Sequence, residues 1–416
     1  MSVLNLYPTV RPTLSFDFVN AGVLDPSVTF TRPTSATYFD ETGILRVANP
    51  NTPRFDFNPS TLAAQGFLIE EARTNSIRNN TMVGAVAGTP GTAPTNWSRS
   101  ASPTSGISNE IVGTGTESGV TYIDLRFTGT ATATFSFNIA LETTTQVAAS
   151  PSQTWAVSTY VKLTAGVLNS ATFSFTVGEY SSVPAFLRNN FSSTTTPTSA
   201  GLATQRVAYS LTTGASTASI QPQISVNLTN GLTYDFTLRI GLPQLELGAF
   251  ATSVIPTTTT ALTRSADVAS VNTLSPWYSA TAGTIFVEAA NAQVSASLFS
   301  TDDGTASNRI ITYFNVANSP AFRVVSGGVD QANFSAGTIA QNATFRLSTA
   351  YATNDFAASL NGAAAVTDTS GTVPSGQTTA RIGSNVSSAN FINGHLRRIT
   401  YYPVRLSNAQ LQNLTA

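Results

Sequence analysis

The sequence contains no cysteine and one histidine, His395. Disulfides and thiolate metal sites are therefore excluded, and the redox compartment is left open. Lysine is nearly missing too, Lys162 being the single one. Asp, Glu, Lys and Arg together make up 10% of the residues, against about 25% in an average soluble domain. The net charge is −1, the isoelectric point lies near 5.9, and the arginines are scattered rather than clustered. That leaves no electrostatic footprint for nucleic acid or an anionic membrane. No run approaches the ~20 apolar residues of a membrane span. The stretch Met1-Ser2-Val3-Leu4-Asn5-Leu6-Tyr7-Pro8 lacks the basic and apolar regions of a signal peptide. Neither nucleic acid nor a membrane is expected as a partner, and no cofactor is implied.

What is there is apolar enough to fold. Hydrophobic residues make up 41% of the chain and 24 of them are Phe, which a disordered chain would lack. At 416 residues, two or three domains are expected. Period-two alternation dominates. Phe135, Phe137 and Ile139 fall on one strand face, and Phe173, Phe175 and Val177 repeat the pattern. So do Ile224, Val226 and Leu228, then Tyr234, Phe236, Leu238 and Ile240. Strands with one apolar and one polar face suit antiparallel sandwiches. Helix is expected only at the end, where Ser407-Asn408-Ala409-Gln410 has capping-box spacing before Leu411 and Leu414.

The fold class is read as all-β, a jelly roll followed by a second sandwich, with an irregular N-terminal segment. Residues 1–80 carry Pro8, Pro12, Pro26, Pro33, Pro50, Pro53 and Pro59, too many for central strands. They are expected to be ordered by partners, on the particle or on the jelly roll, rather than by a core of their own. Residues 81–255 hold the alternating strands, and 256–416 form another strand-rich block. Pro256-Thr257-Thr258-Thr259-Thr260 between them reads as a stiff polar linker. The stretch Phe30-Thr31-Arg32-Pro33-Thr34-Ser35-Ala36 is echoed by Leu262-Thr263-Arg264-Ser265-Ala266-Asp267, and the echo implies that the two lie near each other.

Longer ordered matches point to a family. Thr29 to Tyr38, then Gly43-Ile44-Leu45, Pro53-Arg54-Phe55-Asp56 and Gly66-Phe67-Leu68-Ile69-Glu70-Glu71-Ala72-Arg73-Thr74-Asn75, resemble a pattern in phage structural proteins (head spikes, head fibres and tail proteins). There the pattern precedes a carbohydrate-binding-like jelly roll. Its close resembles Pro243-Gln244-Leu245-Glu246-Leu247-Gly248-Ala249-Phe250-Ala251-Thr252-Ser253-Val254-Ile255-Pro256 here, followed by Thr263-Arg264-Ser265-Ala266-Asp267. The last block is similar to a laminin-G or concanavalin-like sandwich, ending in Gly394-His395-Leu396-Arg397-Arg398-Ile399-Thr400-Tyr401-Tyr402 and a closing helical turn. The resemblance implies a virion protein, a homotrimer like many phage spikes, contacting other virion proteins and a host-surface polysaccharide. It would assemble in the host cytoplasm and leave by lysis.

Residues able to carry chemistry are few. Neighbouring side chains of an extended segment point to opposite faces. Glu70 and Glu71 therefore cannot flank one glycosidic bond, which needs carboxylates about 5–9.5 Å apart. With Arg32, Arg73 and Arg264 they are read as structural charge contacts. A Ser-His-Asp triad would have to use His395, and no Gly-x-Ser-x-Gly elbow accompanies it. Asp302-Asp303-Gly304 could open a calcium loop, but EF-hand spacing is missing and Asp-Gly is a common hairpin turn, so no metal is assigned. Trp97 and Trp155 are read as packing residues. The residues proposed to meet a glycan are Trp277, Tyr278, Arg309, Tyr313 and Arg323, with packing against the neighbouring module left open for Trp277-Tyr278. No residue is assigned a catalytic role. The expected function is non-enzymatic adhesion on a virion, the alternatives being an inert decoration or connector protein and a polysaccharide depolymerase.

Overall fold

The computed structural model describes residues 7–290 and 296–416. The chain is nearly all β, with 49% of it in strands and 3% in helix. Each alternating segment named above is a strand, and antiparallel pairing joins them.

The jelly roll packs two sheets face to face. A five-stranded sheet runs Arg206–Thr212, Thr154–Val167, Thr233–Leu247, Val120–Thr130, Ile107–Glu117. A second sheet runs Phe186–Phe191, Thr172–Tyr180, Ser219–Leu228, Phe135–Ala140, Ser98–Arg99, with Val147–Ala148 also on Ser219–Leu228. The Phe127 ring of the first sheet meets Phe137 of the second at 5.2 Å and Phe236 of its own sheet at 5.1 Å. Burying one such ring stabilises by about 1.5–3 kcal/mol. Trp97 and Trp155 belong to this core, as expected.

The second sandwich is built from both ends of the chain. Its larger sheet runs Val366–Asp368, Asp355–Leu360, Phe345–Ala352, Ala282–Ala290, Gly394–Tyr402, Ala64–Ile69, Phe55–Phe57, and Leu14–Asp17 also pairs with Gly394–Tyr402. The facing sheet runs Val28–Thr31, Val268–Val271, Thr379–Ile382, Ser297–Asp302, Arg309–Val316, Ser319–Ser326, Val329–Ser335. Phe16, Phe18, Phe67 and Ile69 lie in one core with Ile285, Val287, Phe322, Leu347 and Ile399.

The N-terminal segment is irregular, and another part of the chain orders it, but that part is the last sandwich. It does not stand apart as residues 1–80, nor is it chiefly a cover for the jelly roll. Residues 7–75 and 262–416 make one sandwich, and the jelly roll is inserted between them. Residues 1–6 lie outside the described part. The point of insertion is narrow: Arg73–Asn75 pairs with Leu262–Arg264, Asn75 opposite Leu262. Pro256 to Thr260 is no free linker at its start. Thr257 is buried, its Oγ1 donates to Ile77 O (2.7 Å), and its N–H donates to Asn80 Oδ1 (2.7 Å). Polar composition reads as a linker, whereas here the polar atoms are the means of attachment.

The closing helix Asn408–Thr415 has the expected capping box, Ser407 with Gln410. Gly327-Gly328, with φ of 60° and 78°, turns the hairpin between Ser319–Ser326 and Val329–Ser335. Two consecutive positive φ values match a type I′ turn, which glycine adopts without steric cost.

Candidate functional site

Where the chain leaves and re-enters the outer sandwich, charges are buried. Arg54 bridges two carboxylates, with Nη1 2.9 Å from Glu70 and Nη2 2.5 Å from Asp267. Arg32 pairs with Asp267 at 3.0 Å and Arg264 with Glu70 at 2.6 Å. The echo segments touch directly, Ser265 N–H donating to Thr34 Oγ1 at 2.8 Å. Glu246, fully buried, accepts from the N–H and hydroxyl of Thr252. Three guanidiniums thus face three carboxylates. Burial alone would raise the Glu70 carboxyl, but Arg264, Arg54 and two hydrogen bonds from Ser253 outweigh it and hold it well below the carboxylate range.

Glu71 turns the other way, to Arg73 at 2.5 Å. Arg32, Glu70, Glu71, Arg73 and Arg264 each stand in an ion pair, and adjacent Glu70 and Glu71 do not share a site. Arg54, Asp267 and Glu246 complete the cluster. All three stand inside the stretches that carry the family resemblance, the signal by which they were open to discovery.

A cavity of about 220 Å³ lies beside the cluster, between the two sandwiches, and Asp56, Tyr160, Arg206 and His395 line it. His395 sits in the last strand, as expected, but is buried, its Nε2 2.9 Å from Asp56 Oδ2. The serine and threonine hydroxyls lining the cavity are engaged elsewhere: Thr37 with Val254 O, Thr252 with Glu246 and Ser253 with Glu70. No serine or threonine hydroxyl is hydrogen-bonded to this histidine among the described residues.

The outer face of the six-stranded sheet is of another kind. Rows of opposed residues run Thr172, Asn227, Ser136; then Ser174, Ser225, Asn138; then Phe191, Thr176, Gln223, Ala140; then Asn189, Gly178, Gln221; then Phe186, Tyr180, Ser219. None of them is charged. Tyr180 Oη donates to Gln221 Oε1 (3.2 Å), as does Gln223 Nε2 (2.9 Å), and Ser225 Oγ donates to Asn138 Oδ1 (2.7 Å). The Asn138 amide nitrogen and the Gln223 amide oxygen keep their capacity for an outside partner. A Cβ on Gly178 would come within 3.2 Å of the Tyr180 ring, so glycine lets that ring lie along the sheet. At the edge, Phe186 is 57% and Phe191 65% exposed, and Phe186 meets Tyr180 at 5.9 Å. The sequence reading used Phe173 and Phe175 of this sheet for its core and missed the face behind them. Its signal was the uncharged polar positions alternating with those phenylalanines.

The residues expected to meet a glycan divide. Trp277 is only 8% exposed, its ring 5.1 Å from Tyr401 and 5.8 Å from Tyr278, with Nε1 donating to Thr273 O. Tyr278 is partly buried in the same knot. Both pack, and the open alternative is resolved toward packing. Arg309, Tyr313 and Arg323 do share the outer face of the seven-stranded sheet, Ile311 standing opposite Arg323. Arg323 holds Asp330 at 2.6 Å and Tyr313 Oη donates to Asn333 Oδ1 at 2.9 Å. Asp302 is spent on Arg381 (2.6 Å) and on the Gly304 N–H (2.9 Å).

No family model and no curated protein matches this chain. Among solved structures, it is similar to domain 4 of AbnA, a GH43 extracellular arabinanase from Geobacillus stearothermophilus in complex with arabinotriose. There the TM-score is 0.30 and the identity 14%, over 36% of this chain and 73% of that one. It is similar to the CBM22-1-CBM22-2 tandem domain of Paenibacillus barcinonensis Xyn10C, with TM-score 0.25 and 12% identity over 80% and 98%. Domains LG4-5 of the mouse laminin alpha1 chain give 0.24 and 12% over 69% and 90%.

Proposed function

We propose that this chain is a non-enzymatic structural component of a phage particle, a spike, fibre or tail protein, that holds a host-surface glycan on the outer face of its jelly roll. The observation that carries the adhesive half is that uncharged face, with half-buried Tyr180, Gln223 and Asn138 beside exposed Phe186 and Phe191, and with Gln221 buried beneath them and held by Glu142 O, Tyr180 and Gln223. Sugar hydroxyls need donors and acceptors in alternation, which amides supply together. The apolar side of a sugar ring packs on an aromatic ring. The virion half is supported by the sequence resemblance alone, and three copies per assembly is part of the same reading. Glycan arrays with purified protein test it. Binding that Tyr180→Ala or Gln223→Ala weakens at least tenfold, with an unchanged thermal midpoint, is expected. No binding across the array would favour inert decoration. Reducing ends released from capsule or lipopolysaccharide would favour a depolymerase. Light scattering of assembled protein and labelling of intact virions test the trimer and its place.

A further inference from the structure

The outer face of the seven-stranded sheet differs from the jelly-roll face in one respect: it is charged, and its charges do not close. Among the described residues, every arginine except Arg11 and Arg309 donates a hydrogen bond to another part of the chain. Arg11 is exposed, so water serves it. Arg309 is half-buried, its Nε is closed off from solvent, and no acceptor reaches it. A guanidinium carries five donors and keeps its charge, so leaving one half-desolvated without a counterion is costly.

Its neighbours explain why nothing in the chain relieves it. The acids near it are Asp302, held by Arg381 through two bonds of 2.6 and 3.1 Å, and Asp330, held by Arg323 at 2.6 Å. Register puts Arg309 opposite Asp302 on one side and Val325 on the other, and Arg323 opposite Ile311. Arg381 stands opposite Ser300, in the row that continues to Ile311. Three guanidiniums and two carboxylates thus share one side of the sheet, and one positive charge is left over. Burial and the like charge of Arg323 both press the Arg309 guanidinium downward, the response of a cation with no partner of its own. Val325 and Ile311 are buried between these side chains, giving the polar patch an apolar floor, and the Tyr313 ring borders it.

We propose that this face is a second binding site, taking the single carboxylate of an acidic sugar residue on the free fork of Arg309, with Tyr313 beside the ring. The proposal rests on the glycan-holding reading only in taking a sugar as the carrier of the carboxylate. A planar carboxylate accepts two parallel N–H bonds from one guanidinium. The two aspartates of the patch disfavour densely charged polyanions and leave room for one negative charge.

The experiment titrates the full chain calorimetrically with galacturonate trimer, sialyllactose and the methyl ester of each. At least one acid should bind, its neutral ester at least tenfold more weakly, and added NaCl should weaken only the acid. Arg309→Gln should lower affinity for the acid at least tenfold. It should leave the thermal midpoint unchanged or higher, because a half-buried unpaired charge is removed. Asp330→Asn, which releases Arg323, should strengthen binding. Failure of both acids to bind at millimolar concentration, or equal binding of acid and ester, overturns the proposal and leaves the jelly-roll reading intact. A drop in midpoint for Arg309→Gln with unchanged affinity also overturns it, in favour of a structural role. Arg309-dependent binding of the acid, with no effect of Tyr180→Ala on any neutral glycan, would support this site while removing the other.

Discussion

Glu70 is the residue on which the junction turns. Two charges leaving water cost several kcal/mol each, and their attraction returns much of that only while both are present. Glu70→Gln should therefore cost about 3–5 kcal/mol, since Arg54 and Arg264 remain buried. The control Glu71→Gln, facing half-exposed, should cost under about 1 kcal/mol. The Glu70 carboxyl is lowered from 4.5. A depressed acid contributes stability above its unfolded pKa, and loses it as pH falls toward the folded value. Chemical denaturation between pH 7 and 2 should show the natural chain losing stability below about pH 4.5 and Glu70→Gln losing less. Equal slopes would mean that Glu70 does not govern the acid limb. Glu70, Arg32 and Arg264 were legible in the sequence because charge is rare in it. Arg54 and Asp267 were not singled out, since pairing between residues over 200 positions apart leaves no local pattern.

At the scale of elements, alternation disclosed the long strands of the jelly roll and the capping box disclosed the helix. The outer sandwich was harder, because strands such as Phe55–Phe57 are too short to show a period. The knot under its larger sheet was read from Trp277-Tyr278 as a possible contact with ligand. It holds a pair of buried hydroxyls instead: Tyr351 and Tyr401 lie 2.8 Å apart, and both reach Ser279 O. Burial pushes Tyr401 up to about 12 from 10.0. An acid whose pKa is raised on folding contributes fully below its unfolded value and loses that contribution as pH rises through the folded one. Thermal midpoints should therefore drop between pH 10 and 12, and Tyr401→Phe should flatten the drop. The substitution itself should cost about 1 kcal/mol at neutral pH for the lost hydrogen bonds. A steeper alkaline limb in the variant would contradict the assignment. Thr257→Val tests the buried strap: loss of the hydroxyl, which donates to Ile77 O and accepts from the Asn80 N–H, should cost about 1–3 kcal/mol by urea denaturation.

For the molecule as a whole, the all-β class was open to reading but the nesting was not. Local patterns show which segments are strands, and only pairing shows that residues 7–75 belong with 262–416. The two cases separate by expression of pieces. Residues 256–416 alone lack Phe16, Phe67 and Ile69 from their core, and should fail to give a cooperative transition by circular dichroism. A chain in which a short Gly-containing turn joins Asn75 to Leu262 should give one, because those residues already lie opposite each other. A cooperatively folded 256–416 would restore the linear order of domains.

That nesting has a mechanical consequence. Leu14–Asp17 lies antiparallel to Gly394–Tyr402, with Leu14 opposite Tyr401. A pull applied through the outermost strands in sequence therefore loads these two ribbons first, in the unzipping direction. The inserted jelly roll, whose entry and exit are clamped side by side at Asn75 and Leu262, carries no tension until the outer sandwich has opened. In force spectroscopy the first length released should come from the outer sandwich, with the jelly roll yielding last. A module that grips a surface would then keep its shape while its mount gives way.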